Sequence, residues 1–287
     1  MEKYITNNIN LEKYVIILVV VALILMQNQM CKGKEKIEFP NEYGVFIGID
    51  NLNEKILKNY HIIVIDASYF SKKEIQSLKK EGHIVYSYLN IGSLEKFRNY
   101  YKKFQDITLG KYENWEDEKW IDVSQVKWQE YVISVLGKSL VYKGVDGFFV
   151  DNTDVFYQYP RKKIYNGLIK ILKGLKRYDK DIIINGGDTF VSKLISSKDW
   201  YSGLITAINQ ETVFTVIDFK KKTYKAQDKK VTKYFKEYLN ACSKKELQVF
   251  LTEYGNNLKL QKKTETYCEK KGYIWYIASS YELNGDK

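Results

Sequence analysis

Histidine is almost missing from this chain of 287 residues: there are two, His61 and His83. Both stand just before strand-like apolar runs, which assigns them to the end of a sheet that serves stability rather than chemistry. A zinc centre built on imidazoles and a Ser-His-Asp triad therefore lack their ligands and their base. Proline is equally scarce, with two residues. No Gly/Ser-rich or single-charge block follows the first forty residues, so nothing reads as an interdomain linker. No Gly-x-Gly-x-x-Gly follows a strand, and the isolated pair Gly186 and Gly187 is a weak phosphate cradle. Neither a solenoid repeat nor a nucleic-acid-binding motif is present. Of three cysteines, Cys242 and Cys268 fall on what read as consecutive helices. A bridge formed outside the cell and two buried thiols suit them equally.

What is present begins with a targeting segment. Lys3 and Lys13 precede an unbroken apolar run over 14–26, short for a membrane span and suited to the core of a signal peptide. Export is the expectation, with residues 1–31 as signal peptide or N-terminal anchor and 32–42 as linker. Cys31 stands where a lipoprotein carries its acylated cysteine, but Met30 and Gln29 are bulky where that signal wants small residues. The formal charge of +11 comes largely from lysines spread along helical segments, such as Lys170, Lys173, Lys176 and Lys180. Such spacing describes a solvated face rather than a nucleic-acid stripe. No nucleic-acid partner is expected, and a membrane only through the first segment.

From residue 43 onward, strand-like and helix-like stretches alternate. Strands are predicted over 43–49, 62–65, 84–89, 148–150, 182–184, 204–208, 249–252 and 273–278. The clearest helices span 71–81, 126–142, 161–178, 231–243 and 258–271, the first opened by a Ser71-x-x-Glu74 capping box. Eight strands alternating with helices in about 245 residues match the arithmetic of an α/β fold of the (β/α)8 TIM-barrel type, filling 43–287 as one domain.

The strand ends carry the chemistry. In order they reach Asp50, Asp66, Asn90, Asp151, Asn185, Glu211, Glu253 and Ser279. A barrel gathers these at one mouth. Turn preference alone accounts for Asp and Asn. It accounts poorly for Glu211 and Glu253, because Glu is not a turn former. Residues 144–156 (GVDGFFVDNTDVF) are the plainest case: an apolar strand ends in Asp151, Asn152 and Asp154. The segments after the strands add aromatics, among them Tyr69, Tyr157, Phe214 and Tyr254, whose faces suit sugar rings. Two carboxylates can serve as acid/base and nucleophile, as in most glycoside hydrolases. Asp151 and Glu211 form the candidate catalytic pair: they end the fourth and sixth strands, whose separation is roughly 9–10 Å. Reach and rotamer then decide between retention and inversion. Candidates for substrate binding are Asp50, Asp66, Asn90, Asn152, Asp154, Tyr157, Asn185, Glu253 and Tyr254. No cofactor is called for, although Asp151 and Asp154 could hold Mg2+ between them.

Five motifs in order, 88–95 (YLNIGSLE), 144–154, 185–186 (NG), 209–214 (NQETVF) and 252–255 (TEYG), resemble those of glycoside hydrolase family 114, the endo-α-1,4-polygalactosaminidase family. The likeness runs from about residue 43 to the end. It implies a secreted (β/α)8 enzyme that cleaves α-1,4-linked galactosamine polymers internally. Its two acids correspond to Asp151, taken as nucleophile, and Glu211, taken as acid/base. Asn90, Thr153 and Ile184 depart from the family's usual residues. Partly deacetylated galactosamine polymers are cationic, and a mouth holding Asp50, Asp66, Asp151, Asp154, Glu211 and Glu253 attracts them despite the basic body. The alternatives are a non-catalytic polysaccharide-binding barrel and a metal-dependent hydrolase.

Overall fold

Apolar runs covered on both faces become the strands of a parallel sheet, and eight do so here. The computed structural model describes residues 38–50 and 54–285. The proposed signal segment, Cys31 and most of the proposed linker lie outside the described residues. The strands are β1 (Asn41–Phe46), β2 (Tyr60–Ile65), β3 (Ile84–Asn90), β4 (Gly147–Asp151), β5 (Asp181–Asn185), β6 (Ala207–Glu211), β7 (Gln248–Tyr254) and β8 (Ile274–Ala278). They pair in parallel and in chain order from β1 to β8. β8 then meets β1 through Phe46 against Tyr276, with ring centroids 5.4 Å apart. Past the strand ends, the Gly48 N–H donates to the Leu283 carbonyl at 3.1 Å. A Cβ on Gly48 would come within 2.1 Å of the Glu282 carbonyl oxygen, so only glycine fits this seam. The result is a (β/α)8 TIM barrel.

Both faces of the sheet are buried: Val45, Phe149 and Ile183 lie on the face that carries Asp151 and Asn185, and Ile63, Ile65 and Val85 on the opposite face. Helix Lys72–Lys80 starts as its sequence demands: the Glu74 N–H donates to Ser71 Oγ, and the Ser71 N–H returns to Glu74 at 2.6 Å. The long helix predicted over 126–142 forms as Val126–Tyr131, a π-helical turn Val132–Gly137, and Lys138–Lys143. His83 is buried, its Nδ1 2.8 Å from the Tyr60 carbonyl, and His61 lies 3.1 Å from Glu42. Both stay at the amino-terminal ends of β2 and β3, away from the mouth. Cys242 and Cys268 are free and buried.

Most strand ends fall within two residues of the sequence reading, and β1 and β6 differ most. β1 opens at Asn41, inside the stretch assigned to the linker, and ends at Phe46. β6 spans Ala207–Glu211 rather than 204–208. Leu204 and Ile205 are buried in the loop before it, whereas the polar Asn209 and Gln210 are true strand residues. Two additions have no counterpart in the prediction. Between β3 and β4 a three-stranded antiparallel sheet is inserted, from Ser93–Glu95, Thr108–Lys111 and Glu118–Ile121. Between β6 and β7 stands a hairpin, Thr215–Asp218 with Thr223–Ala226. Both rise from the carboxyl ends of the strands, where barrel enzymes elaborate their sites. Among the described residues no helix is long and apolar enough to cross a membrane.

Candidate active site

Parallel register sets the strand ends level. Asn90 stands beside Asp151, Asn185 beside Asn209, and Glu211 beside Thr252. Asn185, at the end of β5, therefore lies between the two candidate acids on β4 and β6. Its Nδ2 donates to Asp151 Oδ1 and to Glu211 Oε1, at 2.9 Å each. Two acceptors on the diverging hydrogens of one amide nitrogen stand about 5 Å apart. The amide is locked from behind. Asn209 Nδ2 donates to Asn185 Oδ1 at 2.7 Å, and Asn209 Oδ1 accepts from Thr252 at 3.0 Å and from Tyr43 at 3.3 Å. The polar residues that blur β6 in the sequence are thus satisfied across three strands. Tyr254 donates its hydroxyl to Glu211 Oε2 at 2.6 Å. Burial first, and the Glu211 charge next, keep that tyrosine well above its ordinary pKa, so it remains a donor.

Asp151 is partly open to the cavity and enclosed on its other sides. Burial pushes its carboxyl up to about 7; donation from Asn185 opposes the rise and the Glu211 charge adds to it. Asp154 reaches about 7 in the same way, with the Asp151 and Asp188 charges adding and the Gly187 N–H opposing. That N–H lies 3.0 Å from Asp154 Oδ2. Gly186 and Gly187 both adopt left-handed backbone, and a Cβ on Gly187 would overlap the Thr153 hydroxyl. The glycine pair serves Asp154 rather than a phosphate.

The mouth opens into a cavity of about 700 Å³ containing Asp66, Asp151, Asn152, Asp154, Asn185, Glu211 and Tyr254. Among the described residues, nine carboxylates and one arginine line it. Several proposed binding residues are spent otherwise. Asp66 is buried, and its carboxylate pairs with Arg98 at 2.8 Å and caps Ser68. Glu253 is 1% exposed and does not reach the mouth. Its carboxyl accepts from the Phe214 and Thr215 N–H groups at 2.8 Å and from the Thr215 hydroxyl at 2.5 Å. It thereby pins the segment that follows Glu211. Asn90 is buried, bonded to the Ser93 hydroxyl and backbone. Asn152 joins the same knot through Ser93 and Tyr112, at 3.2 and 2.9 Å. Tyr157 is 64% exposed, and neither it nor Asp50 borders the cavity. Phe214 is core, not lining.

The insertion supplies what the strand ends do not. Glu118 accepts from Ser93 at 2.6 Å. Burial raises it to about 7, against that hydrogen bond and with help from Glu95 and Asp151. Arg98 bridges Glu95 and Asp66 at 2.6 and 2.8 Å. Tyr112 and Trp115 also face the cavity. The available signal was residues 112–120 (YENWEDEKW), four carboxylates and three aromatics in nine positions. Among the described residues no group of three or more His, Cys, Asp or Glu is arranged to hold a metal ion.

This geometry can be set beside known proteins. The chain resembles the glycoside hydrolase domain of PelA from Pseudomonas aeruginosa, with a TM-score of 0.71 and 15% identity over 85% of this chain and 96% of that one. It also resembles Ega3 of Aspergillus fumigatus, solved with galactosamine, at a TM-score of 0.68 and 15% identity over 88% and 96%. At such identity the likeness is one of fold. In sequence, 118 residues are 30% identical to the uncharacterized protein MJ1477 of Methanocaldococcus jannaschii, spanning 37% of this chain and 34% of that protein. The sequence profile of glycoside-hydrolase family GH114 matches residues 40–285, almost the whole barrel. The chain belongs to that family.

Proposed function

We propose that this protein is an exported, retaining glycosidase that cuts α-1,4-linked galactosamine polymers internally, with Asp151 as nucleophile and Glu211 as acid/base. Family membership supports glycoside hydrolysis, and the complex of the similarly folded Ega3 with galactosamine points to the sugar. The observation that carries the mechanism is the single Asn185 amide bonded to both acids at 2.9 Å. A spacing of about 5 Å is that of a nucleophile and its partner; an inverting pair needs roughly 6.5–9.5 Å to admit water. Burial first, with the Glu211 charge adding, raises Asp151 to about 7 and favours its protonated form in the free enzyme. Ammonium groups arriving with the substrate favour ionised Asp151, leaving the proton for Glu211.

In the first step Glu211 protonates the glycosidic oxygen as Asp151 attacks the anomeric carbon, and the leaving chain departs as an alcohol. Glu211, now a base, then takes a proton from water, whose oxygen displaces Asp151 and frees the second product. Nine carboxylates around one arginine suit a cationic polymer. The test is proton NMR of partly deacetylated α-1,4-galactosamine polymer during digestion. The α anomer appearing first is the expected result; first release of the β anomer overturns retention, and no cleavage overturns the reading.

A further inference from the structure

Three loops leave the barrel on three sides and meet. Trp115 lies at the tip of the insertion after β3, Phe219 at the tip of the hairpin after β6, and Tyr281 just beyond β8. Around the ring of eight strands, β3 and β6 are three places apart, β6 and β8 two, and β8 and β3 three. Segments rooted so far apart can bring their tips together only across the mouth. Their rings are in contact: centroids are 6.2 Å apart for Trp115 and Phe219, 6.1 Å for Trp115 and Tyr281, and 5.3 Å for Phe219 and Tyr281, each pair edge to face. All three border the cavity that contains Asp151 and Glu211.

A small apolar cluster under a long loop is the ordinary explanation for such a contact. Two features set this one apart. Trp115 remains 40% exposed, and the residues flanking it, Asn114 and Glu116, are polar and themselves line the cavity. The other two rings belong together: the Tyr281 N–H donates to the Tyr224 hydroxyl of the hairpin at 3.0 Å. The insertion tip thus closes onto a joined pair of loops through one half-exposed ring, a contact that can part and re-form.

We propose that Trp115, Phe219 and Tyr281 form a clasp that opens to admit an internal stretch of polysaccharide and closes over it, so that the enzyme makes several cuts per encounter. This rests on the glycosidase reading above. Aromatic faces pack on sugar rings, and Glu116 beside the clasp offers a carboxylate to an amino group. After a cut, the product still held under the clasp re-engages the acids as an intramolecular event, at a high effective concentration.

The experiment follows viscosity and new reducing ends together during digestion of partly deacetylated α-1,4-galactosamine polymer by the parent, Trp115→Ala, Phe219→Ala and Trp115→Phe. The parent should yield short oligosaccharides from the outset, with little viscosity lost per reducing end. Each alanine variant should lose viscosity about threefold faster per reducing end and release long fragments first, because retention by the clasp is gone. Trp115→Phe, which keeps a ring, should behave as the parent does. Coincident curves for the parent and both alanine variants overturn the clasp while leaving the glycosidase reading intact. A parent that cuts nothing overturns that reading and the clasp with it.

Discussion

Replacing Asn185 by alanine removes the bond between the two acids without touching either. Its Nδ2 donates to Asp151 and Glu211 at 2.9 Å each, and a hydrogen bond to a charged group contributes about 1.5–3 kcal/mol. Two carboxylates about 5 Å apart at an effective dielectric near 20 repel by roughly 3 kcal/mol when both are charged. The amide offsets that repulsion. If about 3 kcal/mol of its contribution is expressed in the transition state, kcat/KM falls about a hundredfold. The sign of the pH effect follows from the same contact. Donation from Asn185 holds the Asp151 carboxyl down against burial, so without it that carboxyl rises above about 7. A nucleophile must be ionised, so the acidic limb of kcat/KM should move to higher pH by about one unit, one unit being 1.36 kcal/mol. Asn209 loses the acceptor of its Nδ2, which should cost about 1–3 kcal/mol of folding stability in urea titration. A variant with kcat/KM within threefold of the parent and an unmoved acidic limb would refute the reasoning.

Glu253 makes stability depend on pH. Burial raises it to about 7, against donation from Thr215 and the Phe214 N–H. Its contribution is therefore fully present below the unfolded value near 4.5 and is lost as pH rises through about 7. Glu253→Gln should flatten urea-measured stability between pH 5 and 8 by on the order of 3 kcal/mol; an unchanged slope contradicts this. Arg98→Met leaves Asp66 and Glu95 buried without their partner. It should destabilise by about 3–5 kcal/mol, and a thermal midpoint equal to the parent's would show that the pairs contribute nothing. The acidic cavity predicts that added salt raises KM on a cationic polymer by screening, and a salt-independent KM counts against electrostatic capture.

The barrel was legible because its strands are apolar on both faces and its helices begin with local signals such as Ser71 and Glu74. β6 was displaced by three residues because Asn209 and Gln210 look like a loop when read alone. Their place in a strand depends on partners in β5 and β7, which no local pattern reveals. Asp151 and Glu211 were chosen because each is a carboxylate at a strand end and five ordered motifs frame them. Glu253 shares that pattern, but its carboxyl turns toward the Phe214 and Thr215 backbone, a choice fixed by the fold of the hairpin. Asn90 and Asn152 were placed at the mouth by their positions; tertiary hydrogen bonds tie both to Ser93, and of the two Asn152 lines the cavity. The insertion stayed hidden because its strands are three or four residues long and carry charges throughout, leaving too little apolar periodicity to read.

Release of new reducing ends from partly deacetylated α-1,4-galactosamine polymer, by the parent and by Asp151→Asn and Glu211→Gln, tests the central claim most directly when binding is measured in parallel. The account predicts cleavage by the parent and loss of several orders of magnitude in both variants, with binding retained. Cleavage that survives either substitution at near-parental rate would contradict it.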